Sequence, residues 1–100
     1  EEVVRTLSEK ARNAGIEIQN LIPSEKVVFD KHIAGFEVEK QKISMDLICN
    51  FKTLGEYLHM LRNEFPFLLS FEALTIEGQG EGKRDLRVGL RLVAYLAKQN

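Results

Sequence analysis

Between Leu86 and Leu96 the side chains alternate without a break: Leu86, Val88, Leu90, Leu92, Ala94 and Leu96 fall to one side, and Arg87, Gly89, Arg91, Val93 and Tyr95 to the other. A helix cannot gather every second residue on one face, because its period is 3.6, whereas a strand does so by construction. A strand of this length needs neighbouring strands for its backbone groups and an apolar layer for its inner face. The rest of the chain has to supply both.

Three further segments read as strands. Leu68 to Glu77 is rich in β-favouring residues, and Leu74 and Ile76 alternate before Gly78, Gly80 and Gly82 mark a flexible turn. Ile43, Met45, Leu47, Cys49 and Phe51 alternate in one phase, whereas Phe36 and Val38 alternate in the other. A period of two changes phase only where a residue is inserted, so a bulge or break is expected near Lys40 to Lys42. Ile16 to Ile22 forms the fourth, ended by Pro23, which has no backbone donor. Ser24 to Gly35, with Val27, Val28, Phe29 and Ile33, fits a long loop or a short helix capped by Ser24.

Two helices complete the set. Val3, Val4, Leu7, Ala11 and Ala14 recur at spacings of three and four, and Gly15 stands where a left-handed C-terminal stop belongs. Thr53 with Glu56 three residues later has the pattern of a capping box, after which Leu54, Tyr57, Leu58, Leu61 and Phe65 line one face up to Pro66. The order is helix, strand, strand, twice over. It predicts an α+β, ferredoxin-like two-layer sandwich, circularly permuted, with an antiparallel four-stranded sheet carrying both helices on one face. Its expected core is Leu7, Ile18, Met45, Leu47, Leu58, Leu61, Leu74, Leu90 and Leu92.

One hundred residues, 44% of them apolar, form a single domain, 1–100, with one core. Fourteen basic and fifteen acidic residues leave a net charge of −1, too little field to hold nucleic acid or an anionic membrane. No apolar run is long enough to span a bilayer. The chain opens inside a charged periodic segment without an initiator Met, so we expect a longer protein, with any membrane span before Glu1.

Catalytic and cofactor chemistry find no support in spacing. Cys49, His32 and His59 are scattered and too few for a zinc site, and Cys49 reads as a buried small hydrophobe. The glycines from Gly78 to Gly82 precede a strand, whereas a phosphate-binding loop leads into a helix. His59 lacks a nucleophile placed beside it by local sequence, and Asp30 and His32 lie two apart in the segment that fits a loop or a short helix. No cofactor is expected. Arg87, Arg91 and Tyr95 form a small basic-aromatic stripe on the face away from the core, which suits solvent or a protein partner better than RNA.

The second half, from Ile43-Ser-Met-Asp-Leu-Ile-Cys-Asn-Phe through the helix around Leu58 and Leu61 to the closing strand with Ala94-Tyr95, resembles the periplasmic domain of PilO-type pilus assembly proteins. Gly15, Ile16 and Leu21-Ile22-Pro23 agree more loosely in the first half, and Asn50 and Phe67 depart from residues common in the family. The resemblance implies a non-catalytic inner-membrane protein with this domain in the periplasm. Its span and coiled coil would precede Glu1, and residues 1–14 would close that coil. Its implied partners are a PilN-type protein and a PilP-type lipoprotein, and the GspM-type secretion platform proteins are an adjacent family. A small regulatory ligand-binding domain is the alternative of a different class. Pairing, as homodimer or heterodimer, is expected through a sheet edge and through Val3, Val4 and Leu7 of the first helix, with Arg87, Arg91 and Tyr95 as further contacts.

Overall fold

The computed structural model describes residues 2–29, 31–32, 34–78 and 85–97. Asp30, Ile33, and the turn residues Gly80, Glu81 and Gly82 lie outside the described residues. Helix α1 spans Glu2–Asn13, and α2 spans Phe51–Asn63. The strands are β1 (Glu17–Pro23), β2 (Val27–Val28), β3 (Val38–Cys49), β4 (Leu68–Gly78) and β5 (Leu86–Ala97). None of the described helices is long and apolar enough to cross a membrane.

Gly15 stops α1 as its position suggested. Its φ of 80° lets the Ile16 N–H reach back to the Ala11 carbonyl at 2.9 Å, while its own N–H bonds Arg12 at 3.0 Å. This paired closure satisfies carbonyls that the helix end leaves open, and it buries Ile16 against Ala11. The start of α2 differs from expectation. Asn50, not Thr53, is the cap: its Oδ1 accepts the Thr53 N–H at 2.7 Å, so the helix begins at Phe51. Asn50→Ala should therefore lower stability by about 1 kcal/mol in a denaturant titration, more than Thr53→Ala does.

The strands form one antiparallel sheet of five strands rather than the four expected, in the order β1-β3-β5-β4 with the short β2 added beside β3. Among the described residues of Ser24–Gly35 the regular element is therefore the short strand β2 and not a helix. Ser24 ties the chain to β3, its N–H donating to the Lys42 carbonyl at 2.8 Å and its Oγ accepting the Lys42 N–H at 3.0 Å.

The expected break near Lys40 to Lys42 is absent, since β3 pairs with β5 in one register from Val38 to Cys49. What changes is the face that is covered. Ile43, Met45, Leu47 and Cys49 point to the helices, and Gln41 on the same side is 3% exposed with its Nε2 donating to the Ser24 carbonyl at 2.9 Å. Val38 points the other way and is buried there without joining the main core. Phe29 and Tyr95 lie at that end of the sheet, their rings edge to face at 5.6 Å. Bulges occur instead in β1, between Ile18 and Asn20, and in β4, between Phe71 and Ala73.

Both helices lie on one face of the sheet. Val3, Leu7 and Ala11 of α1 and Leu54, Tyr57 and Leu61 of α2 close over the inner residues of β3 and β5. The Tyr57 hydroxyl donates to the Leu7 carbonyl at 3.0 Å and joins the two helices. Six of the expected core residues, Leu7, Met45, Leu47, Leu61, Leu90 and Leu92, are fully buried. Ile18 and Leu58 are only half-buried at its margin. Leu74 is 44% exposed, and that exception defines the most unusual surface of the molecule.

Candidate functional site

The two edges of the sheet are unlike. The β1 edge carries a bulge, ends in Pro23 and bears Glu17, Gln19 and Asn20, with the Gln19 amide donating to Glu17 at 3.2 Å. Bulges, proline and polar side chains are devices that discourage a further strand. The β4 edge, eleven residues long, contains no proline and no lysine and among the described residues is paired only with β5.

Phe71, Leu74 and Ile76 of β4 stand in register with Leu92, Leu90 and Val88, so their side chains share the helix side of the sheet. They nevertheless remain 40%, 44% and 42% exposed. The fully buried strand residues of the core belong to β3 and β5, whereas from β4 only Leu69 packs partly against it. Toward the start of β4 the uncovered stripe runs into an open groove formed by Phe65, Phe67, Leu69 and Phe71, with Arg62 at its rim. The Phe65 and Phe67 rings there meet at 5.6 Å. An apolar strip along an open strand edge is uncommon in a protein that acts alone.

The opposite face is polar at its centre. Ser44, Asp46, Thr75 and Gly89 form a shallow floor beside Arg91, and Asn20 donates to Asp46 at 3.5 Å. Gly89 is needed for close approach: a Cβ there would lie 2.6 Å from Thr75 Oγ1. Gly89→Ala should cost about 1 to 3 kcal/mol through this overlap, and pairing it with Thr75→Ala should return most of the loss in thermal melts.

Arg87, Arg91 and Tyr95 do share this face, the two arginines exposed and Tyr95 half-buried against Phe29. Lys40 Nζ lies 5.7 Å from the Phe29 ring centre, so that corner is already packed by its own chain. The α1 residues are placed differently from expectation. Val3 and Leu7 are buried in the domain core and Val4 is half-buried, so the apolar stripe of α1 faces the sheet. Its periodicity recorded burial but not which surface would provide it.

Cys49 is buried, and desolvation, assisted by the charge of Asp85, raises its thiol pKa above the ordinary value. That makes it a poor nucleophile. His59 is exposed, and its Nδ1 lies 3.1 Å from the Asn63 amide on the same helix. Among the described residues no three His, Cys, Asp or Glu side chains gather as they would around a metal ion. The residues missed by sequence reasoning are Phe71, Ile76 and the Phe65–Phe67 pair as surface, and Leu74, read as core. Their alternation was visible, but their lack of cover was not.

No protein-family model and no curated protein sequence matches the chain. Solved structures do. The crystal structure of the type 4 fimbrial biogenesis protein PilO from Pseudomonas aeruginosa superposes with a TM-score of 0.77 at 12% identity, over 97% of this chain and 67% of that one. The core region of PilO from the type IV pilus system of the same organism gives 0.69 at 14% identity, over 94% of each chain. A crystal structure from Akkermansia muciniphila gives 0.74 at 10% identity, over 98% of this chain and 51% of the other. The chain therefore has the fold of PilO.

Proposed function

We propose that this chain is a non-catalytic interaction module of a type IV pilus assembly complex at the bacterial inner membrane, lying in the periplasm and working by pairing with another protein. The shared fold with PilO supports this class of machine. The sheet order β1-β3-β5-β4 from two successive helix–strand–strand halves supports reading the fold as a circularly permuted ferredoxin-like sandwich. Fold alone leaves function open, so the argument rests on the surface.

The observation that carries the reading is the uncovered edge of β4, where Phe71, Leu74 and Ile76 expose apolar area beside unpaired backbone groups. Strand addition satisfies both needs in one step, giving hydrogen bonds to the backbone and cover to the side chains. A PilN-type protein is the partner of choice for that edge, with a PilP-type lipoprotein as a further component. Arg87 and Arg91, exposed on the far face, are left available for a second contact.

Sedimentation velocity over a wide concentration range, on the domain alone and mixed with a PilN-type periplasmic domain, tests the assignment. A heavier species with the partner is expected. A strictly monomeric chain in every mixture would remove the reading.

A further inference from the structure

The β4 surface has a chemical polarity that selects its occupant. On the helix side it is apolar, through Phe71, Leu74 and Ile76. Its charged residues are Glu72 and Glu77, with no cation anywhere in the strand. Glu77 is in register with Arg87, which places it on the side away from the helices. Glu72 is the residue inserted at the bulge between Phe71 and Ala73, and it borders the same depression as Arg91 and Lys42. Arg87, Arg91 and Lys42 lie on the inner side of the two carboxylates, on β5 and β3, leaving the outer side of the edge acidic.

We propose that the β4 edge receives an extended strand from a different protein, one that alternates apolar residues with Lys or Arg. This rests on the interaction-module reading above and adds the chemistry of the partner. The apolar residues of the incoming strand cover Phe71, Leu74 and Ile76, and its cations stand beside Glu72 and Glu77. Neighbouring strands lie about 4.8 Å apart, so each glutamate then has a cation on either side and the two rows of cations are separated by about twice that distance.

A second copy of the chain fits less well. Pairing β4 with the β1 edge of another molecule meets Pro23 and the bulge after Ile18. Pairing β4 with β4 places four carboxylates along one seam and supplies no cation from either strand. Like charges facing one another across a ladder oppose pairing.

The test uses two synthetic amphipathic strand peptides that differ only in charge, one alternating valine with lysine and the other valine with glutamate. Binding to the 100-residue chain is read by fluorescence anisotropy at low and high salt. The lysine peptide should bind about tenfold more tightly than the glutamate peptide at low salt, with the margin shrinking as salt is raised. The double variant Glu72→Lys with Glu77→Lys should reverse the preference while its far-ultraviolet circular dichroism stays that of the parent. Equal binding of the two peptides, or a preference that survives the charge reversal, would overturn the proposal. So would a concentration-dependent dimer of the chain alone that Ile76→Lys abolishes, since a second copy would then hold the edge. A PilN-type partner that binds the charge-reversed variant as tightly as the parent would leave the interaction module standing and remove only the acidic-edge mechanism.

Discussion

Tyr57→Ala is expected to lower the unfolding free energy by about 3 to 5 kcal/mol, a large share of the roughly 5 to 15 kcal/mol available to a domain of this size. Tyr57 is among the largest fully buried side chains, in the cluster where α1, α2, β3 and β5 meet. Truncation removes the ring from that packing and leaves the Leu7 carbonyl without the hydroxyl it now accepts from. Tyr57→Phe separates the two effects. It keeps the ring and should cost only about 1 kcal/mol, the net worth of one buried hydrogen bond. Chemical denaturation of both variants measures the difference, and a midpoint for Tyr57→Ala within error of the parent would contradict the packing described. The same residue sets an alkaline limit. Burial raises the Tyr57 phenol well above its ordinary value of about 10, so the folded state keeps a proton that the unfolded chain releases. The unfolded state then binds fewer protons, and stability falls as pH rises above about 10. Tyr57→Phe should flatten that fall, which a series of melts between pH 8 and about 11 would register.

Lysine at both Leu74 and Ile76 should weaken association with a PilN-type partner by about a hundredfold, while thermal stability changes little. A residue at the centre of a docking surface commonly carries about 2 kcal/mol or more of binding, whereas charges at already exposed positions rarely cost a fold much. Leu74 and Ile76 are 44% and 42% exposed, so a lysine stem can leave the surface without entering the core. The comparison that decides is the melting temperature against the dissociation constant. A variant that loses several degrees of stability would mean that these residues belong to the domain's own packing. One that keeps full affinity would place the docking surface elsewhere.

Except for β2, which no alternation reveals, the elements were legible to within about two residues at their ends. The alternation from Leu86 to Leu96 is the inner and outer face of β5, and Gly15 ends α1 through the left-handed geometry its position predicted. Local chemistry misled at two points. Thr53 and Glu56 formed a plausible capping box, but Asn50 lies three residues before the Thr53 N–H and reaches it first. The change of phase between Val38 and Ile43 suggested a bulge, but a continuous strand can bury opposite faces at its two ends when different parts of the chain cover them.

What the sequence determined was the period of each element and therefore which residues share a face, because side-chain direction follows from backbone geometry within the element. Leu74 and Ile76 were bound to point the same way as Leu90 and Val88 once β4 paired with β5. Whether that face is buried depends on where the helices come to rest. The tertiary structure decided this by packing α1 and α2 against the inner residues of β3 and β5, which drew Val3 and Leu7 into the core and left Phe71, Leu74 and Ile76 exposed. Periodicity is a local property and cover is not, so the same alternation marks buried core in β5 and an exposed apolar strip in β4.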